Sequence, residues 1–267
     1  VQQYNTQFSG YHAIILGGSS GFGLAAVEKL ARHGMHIFVL YRETAAAERL
    51  LKKNLAGLAK DTAATISPYN VNALDNDARD AFIVQLTASI PKNSVKLLLH
   101  SIARGNLKPL MADSSHTELS IEDIQLTTYA MATSMLDWAK ALLKAGLFHA
   151  DGRIIGLTSE GADKYWEGYA AVSIAKSSLE SLTTYMAVEL SKYGLKTNLI
   201  QAGITATPSL MRIPDSERLI QTAIKRNPFG RMTQPNDVAN VIYLLCTDEA
   251  GWINGTIIHV DGGEHCR

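Results

Sequence analysis

The chain has 267 residues, 46% of them hydrophobic and 19% charged, with 25 basic side chains against 25 acidic ones. This is the composition of a globular enzyme-sized domain rather than a disordered or fibrous chain, and the balanced charge excludes an overall field that would draw the molecule to nucleic acid or to an anionic membrane. No apolar run reaches the roughly 18–20 residues of a membrane span, no secretory-signal pattern opens the sequence, and Cys246 and Cys266 are too few for a disulfide framework and lack metal-ligand spacing. A reducing cytoplasm is therefore the expected compartment.

Strand-like and helical runs alternate along the chain. "HAIILGG" is followed by the helical pattern "LAAVEKLARHG", "HIFVLY" by "ETAAAERLLKKNLAGLA", and then come the strand-like "ATISPYNV" and "VKLLLHS". A long helical pattern, "IEDIQLTTYAMATSMLDWAKALLKAG", precedes "GRIIGLTS". "KTNLIQAG", "SERLIQTAIKR", "PNDVANVIYLLCTDEAG" and "GTIIHVDGG" complete the series. Short buried strands rich in Ile, Leu and Val, alternating with amphipathic helices, predict an α/β fold. The expectation is a single Rossmann-type doubly wound parallel sheet of about seven strands, helices on both faces, as one domain over residues 1–267. Ligands in such folds sit beyond the carboxyl ends of the strands. The irregular stretch from Gln201 to Met232 is long for a connection, which predicts a lid over residues 204–230.

The first strand runs into "LGGSSGFGLAA", where Gly17, Gly21 and Gly23 give G-x-x-x-G-x-G at a strand-to-helix turn. Glycines there allow a tight turn and let the backbone approach a pyrophosphate, which the helix N-terminus stabilises. Ser19 and Ser20 offer hydroxyls, and Phe22 belongs to the same turn. A helix merely packed on a sheet could use the same glycines, but the position after a clean apolar strand favours a dinucleotide. The second strand ends "FVLYRE". Where an NAD-binding chain places a carboxylate for the ribose 2′-hydroxyl, this one has Tyr41 followed by Arg42. An arginine pairs with a 2′-phosphate and stacks on adenine, so NADPH is expected ahead of NADH.

Together these residues resemble the short-chain dehydrogenase/reductase family over nearly the whole chain, through "GGSSGFG", "NPFGRMTQPNDVANVIYLL" and "GTIIHVDGG". Three departures from the common pattern are similar to the enoyl-acyl-carrier-protein reductases. "HSIA", His100 to Ala103, stands where most of the family carries Asn-Asn-Ala-Gly; Ala202-Gly203 replaces Pro-Gly; and Tyr169 precedes Lys176 by seven residues, with Val172 in the usual four-before slot. Seven helical residues rotate about 700°, roughly 20° short of two turns, and rise about 10.5 Å. An enoyl thioester takes hydride at the β-carbon, two bonds beyond the carbonyl carbon, so a donor to its oxygen must stand further from the nicotinamide than in a carbonyl reductase. Moving the tyrosine about one turn does that.

The resemblance implies that Tyr169 stabilises an enolate and that Lys176 binds the nicotinamide ribose, its charge favouring the tyrosinate form of a nearby phenol. Ser159 occupies the place of a second tyrosine found in many enoyl reductases, and either bonds substrate or caps the strand end. Tyr165, four before Tyr169, shares its helical face if the helix already runs there, and either lines the acyl pocket or packs at the helix start. This serine-plus-tyrosine arrangement is closer to the NADPH-dependent branch. By position, Ser101, Ile102 and Ala103 line the cofactor cleft, Asn70 and Val71 flank adenine, and Gly203, Ile204, Thr205 and Thr207 meet the nicotinamide amide and phosphates. Leu210, Met211, Ile213 and Phe229 offer apolar surface for an acyl chain, and Met131 replaces the family's frequent asparagine. Lys225 and Arg226 make a small basic spot for an acidic carrier protein or a solvated helix end. The expected activity is NADPH-dependent reduction of a trans-2-enoyl thioester on acyl carrier protein by a homotetramer. A carbonyl or imine reductase, or a non-catalytic NADPH-binding sensor, are the alternatives.

Overall fold

The computed structural model describes residues 5–112, 117–208, 210–212 and 216–267. Seven parallel strands form one sheet in the order β3-β2-β1-β4-β5-β6-β7. They are β1 (His12–Leu16), β2 (His36–Tyr41), β3 (Ile66–Asn70), β4 (Val95–His100), β5 (Phe148–Thr158), β6 (Lys196–Ala202) and β7 (Ile257–Val260). The connecting helices are α1 (Gly21–Ala31), α2 (Ala45–Lys60), α3 (Asn76–Ser89), α4 (Ile121–Thr128), α5 (Ser134–Lys144), α6 (Ala170–Glu189), α7 (Ser216–Arg226) and α8 (Pro235–Cys246).

Alternation along each strand builds a core on both faces of the sheet. On β1, Ala13 and Ile15 join Val27 and Leu30 of α1, Leu51 and Leu55 of α2, and Val238 and Ile242 of α8. Their neighbours Ile14 and Leu16 face the other way, toward Phe82 of α3, Trp138 of α5 and Leu179 of α6. β1 is therefore covered on both faces, and after His12 its sequence is a continuous apolar run.

The long helical pattern from Ile121 onward is broken. One π-helical turn, Tyr129–Thr133, separates α4 from α5. Such a turn inserts an extra residue into the hydrogen-bond ladder and redirects the side chains around it. Here it places Met131 at the carboxyl end of the sheet.

The opposite end of the sheet carries a charge cluster. Lys96 and Arg153 are each 1% exposed and converge with Lys196 on the carboxylate of Asp151. Arg153 also donates to the carbonyls of Leu245 at 2.7 Å and Thr247 at 3.3 Å, which fastens the end of α8 to β5. Partial burial of Asp151 opposes ionisation. Hydrogen bonds from Arg153, Lys196 and Lys96 nevertheless hold its carboxyl well below the usual carboxylate range.

Because the folded pKa is depressed, this contribution to stability is present above the unfolded value near 4 and is lost as pH falls below it. Asp151→Ala leaves buried Arg153 without a counter-ion and Lys96 with only the exposed Asp248 carboxylate at 3.8 Å, and should cost about 3–5 kcal/mol, read as a lower urea midpoint at pH 7. An unchanged midpoint would mean that the backbone carbonyls suffice to hold Arg153, and Asp248 to hold Lys96.

Candidate active site

The strand order reverses between β1 and β4, so the chain leaves a cleft at their carboxyl ends. The β1–α1 turn closes on that cleft through two close backbone approaches. A Cβ on Gly17, where φ is +82°, would lie 2.4 Å from the Ser101 carbonyl oxygen, and one on Gly23 would lie 2.2 Å from the Gly17 oxygen. Neither position admits a side chain. The N-cap of α1, Ser20, makes no side-chain cap, so the first amides of the helix keep their donors for an anion.

A groove of about 370 Å³ runs over this turn. Gly17, Ser19, Ser20, Gly21 and Phe22 form one wall, Arg42 and Val71 one end, and Ser101, Ile102 and Ala103 its floor, with Lys176 and Thr207 further along. Gly23 is buried behind the turn and acts through close packing. Arg42 has no ion pair or hydrogen-bond partner among the described residues, whereas Tyr41 is buried in the core. Asn70 is not on the groove. Its side chain ties the β2–α2 loop, accepting from the Glu43 amide at 3.0 Å and donating to the Glu43 carbonyl and to Glu48 Oε2. Glu43, a carboxylate that no motif in the chain marks, accepts a hydrogen bond from Ser19 Oγ at 2.9 Å. The glycine cradle, the free helix amides and the unpaired Arg42 fit a dinucleotide with its phosphates at the β1–α1 turn.

Beyond the groove lies a second, smaller hollow of about 190 Å³. Gly203, Ile204 and Thr205 line it at the end of β6, and Leu210 closes one side. Phe22, Ala103, Met131, Thr158, Tyr169 and Thr207 line both hollows. Tyr169 therefore stands where they meet.

Tyr169 is the N-cap of α6, and its carbonyl accepts the first helical bond, from the Ser173 amide, at 2.9 Å. It is 8% exposed, with Trp166 packed on its ring at 4.9 Å between centroids. The phenolic oxygen is 3.4 Å from Ser159 Oγ. Burial raises the Tyr169 pKa and the Ser159 hydrogen bond opposes the rise, so the phenol stays neutral and able to donate. This departs from the expectation that Lys176 would promote the tyrosinate. Ser159 also caps the short turn Glu160–Ala162 at the end of β5 by accepting from the Gly161 amide, which is the capping role expected of it.

Lys176, two turns into α6, is buried and donates from Nζ to the Leu157 carbonyl at 2.6 Å. Burial pushes its pKa down to about 8, against the nearby Glu180 carboxylate. Below it His100 is buried, with Nε2 2.8 Å from Ser134 Oγ; burial and then the Lys176 charge push its pKa down to about 3. His100 is thus a neutral support. Val172, in the four-before slot, packs with Met131 and Tyr169, which leaves no second phenol there.

Tyr165 does not line the cavity. Gly168 is left-handed, at φ +66°, so the helix does not extend back beyond Tyr169. Tyr165 is 87% exposed and lines a separate hollow with Lys108, Leu110 and Trp166. Trp166 takes the cavity position instead. Within the expected lid, Leu210 reaches the cavity, Met211 and Phe229 are exposed away from it, and Ile213 lies outside the described residues. Arg226 is not a free basic spot: it holds Glu160 through Nη1 at 3.0 Å and Nη2 at 2.6 Å. Among the described residues no group of three or more His, Cys, Asp or Glu side chains is placed to hold a metal ion, and no helix is long and apolar enough to cross a membrane.

Residues 17–265 match a family model described as enoyl-(acyl carrier protein) reductase. A tropinone reductase homolog of Arabidopsis thaliana is 26% identical over 254 residues, covering 95% of this chain and 89% of its own length. The enoyl-[acyl-carrier-protein] reductase [NADH] of Aquifex aeolicus is 28% identical over 252 residues, covering 92% and 87%. Among solved structures, the Bacillus cereus enoyl-acyl carrier protein reductase with NADP+ and an indole naphthyridinone superposes with a TM-score of 0.85 at 22% identity, over 98% of each chain.

Lys176 has its folded pKa below the unfolded value, so its ammonium form is held only below about pH 8 and is lost as pH rises through that value. Dinucleotide affinity, titrated by fluorescence between pH 6 and 9.5, should fall about tenfold across this range if the ammonium holds the ribose. In Lys176→Met the affinity should be lower and the slope absent.

Proposed function

The chain belongs to the short-chain dehydrogenase/reductase family, and within that family of oxidoreductases we propose that it reduces the trans-2 double bond of an enoyl thioester with NADPH. The observation that carries this reading is the place of the buried, neutral Tyr169 at the junction of the groove and the cavity, with Val172 filling the slot nearer Lys176. The bound cofactor supplies a hydride. Tyr169 donates a hydrogen bond to the thioester oxygen, where negative charge collects once the β-carbon has accepted hydride, and a proton from solvent then adds to the α-carbon to complete the saturated thioester. Ser159, 3.4 Å from that phenol, orients it. Lys176 anchors the ribose, and Trp166 and Leu210 supply apolar walls for the acyl chain.

NADPH is favoured over NADH by Arg42, which is unpaired at the groove's end while the neighbouring Glu43 carboxylate is engaged by Ser19. Fatty-acid elongation on acyl carrier protein, in the cytoplasm, is the setting this reading implies. A homotetramer is supported by the exposed apolar side chains Ile174, Tyr185 and Val188 along α6. The second reading, a carbonyl reductase, is favoured by the Ser159–Tyr169 pair, which would bind any carbonyl oxygen equally well.

NADPH oxidation with crotonyl and acetoacetyl thioesters side by side separates the two. The proposal expects only the crotonyl thioester to be consumed, with kcat reduced about 10²–10³-fold in Tyr169→Phe. Preference for acetoacetyl, or an unaffected variant, would overturn it. Arg42→Ala should raise KM for NADPH about tenfold and leave that for NADH nearly unchanged.

A further inference from the structure

The cavity beside Tyr169 is not a plain hydrocarbon pocket. Three carboxylic acids line it, Glu160, Asp261 and Glu264. Two are fully engaged. Glu160 is held by Arg226 and by Lys164. Asp261 accepts from His265 Nδ1 at 2.6 Å and from the amides of Gly263 and His265, each at 2.9 Å.

Glu264 is different. It is 2% exposed, yet no cation pairs with its carboxylate among the described residues, and Arg226 reaches only its backbone carbonyl. Its Oε2 accepts one long bond, 3.3 Å, from the Ile204 amide, and its Oε1 has no partner among the described residues. The carboxylate sits in a notch made by Gly203, where a Cβ would lie 2.8 Å from Oε2. Two left-handed glycines, Gly262 and Gly263, turn the chain after β7 so that Glu264 points back over the end of β6. Burial raises its pKa, and the Ile204 amide and the Arg226 charge only partly oppose the rise.

We propose that Glu264 is a specificity residue that accepts a hydrogen bond from a donor group on the substrate, a hydroxyl or an ammonium, carried beyond the reducible bond. An acceptor facing a cavity discriminates strongly against a ligand that seals it from water without supplying a donor. An unsubstituted alkyl chain would seal Oε1 from water with nothing in exchange. The cavity's 190 Å³ also suits a short substrate with a polar end. The inference deepens the enoyl thioester reading and rests on it for the position of the reacting bond.

The test has a binding arm and a turnover arm. Ligand-observed NMR on the protein saturated with NADP+ compares 1-pentanol, pentylammonium and butyl methyl ether, the last an isomer of pentanol without a donor. Turnover compares trans-2-hexenoyl thioester with its 6-hydroxy and 6-amino derivatives. At least one donor ligand should bind about tenfold more tightly than the ether, and the matching thioester should show a similar advantage in kcat/KM.

In Glu264→Met both advantages should vanish. In Glu264→Gln, which keeps an acceptor and loses the charge, an ammonium preference should vanish and a hydroxyl preference remain. Equal or tighter binding of the ether overturns the proposal. So does a Glu264→Met variant that weakens all three ligands alike, since Glu264 would then only support Ile204. Donor preference in binding with no thioester turned over would leave the Glu264 assignment standing and defeat the enoyl reading.

Discussion

The contact on which the rest of the molecule depends is the backbone approach of Gly17 to the Ser101 carbonyl. It closes the β1–α1 turn against the end of β4, at the point where successive strands begin to be added to the other side of β1. Only a residue without a Cβ, in a left-handed conformation, brings the two turns this close. Once they meet, the amides of α1 open onto a groove whose floor is the segment after β4. The carboxyl ends of β5 and β6 then supply the wall where Thr158 and Gly203 lie. The groove and the cavity are both consequences of that one junction.

The two ends of the sheet treat charge in opposite ways. At the amino end three cations converge on Asp151, with carbonyls of the α8 terminus completing the arginine's partners. That cluster fastens β4, β5, β6 and α8 to one another. At the carboxyl end burial acts on groups that keep an unsatisfied direction. It lowers the lysine pKa at Lys176 and raises the acid pKa of Tyr169 and Glu264, each toward its neutral form. Groups displaced from their ordinary ionisation and facing a hollow are suited to a ligand, while the same burial at Asp151 serves only stability.

Much of the fold is legible in the amino-acid pattern, because it rests on short-range periodicity. Seven apolar runs correspond to seven strands, and "SERLIQTAIKR" to α7 over the same residues. The glycine turn, Arg42, Tyr169 and Lys176 are also readable, since each belongs to a motif contiguous in the chain. The helix expected from Ile121 onward is less so. Its apolar pattern continues through Tyr129–Thr133, and nothing local announces the π-helical turn that sends Met131 to the site.

What the sequence by itself determined is the seven strands, the glycine turn and the tyrosine–lysine pair, because periodicity and motif spacing act within a few residues. The tertiary structure alone decided which side chains complete the cavity. Tyr165 and Trp166 are adjacent, yet Gly168 ends the helix between them and Tyr169, so the tyrosine turns outward and the tryptophan inward. Glu160 meets Arg226 across 66 residues, and Glu264 meets Ile204 across 60. Contacts of that range follow from how the strands are ordered and how the chain turns after β7, and neither is written in the spacing of the residues that meet.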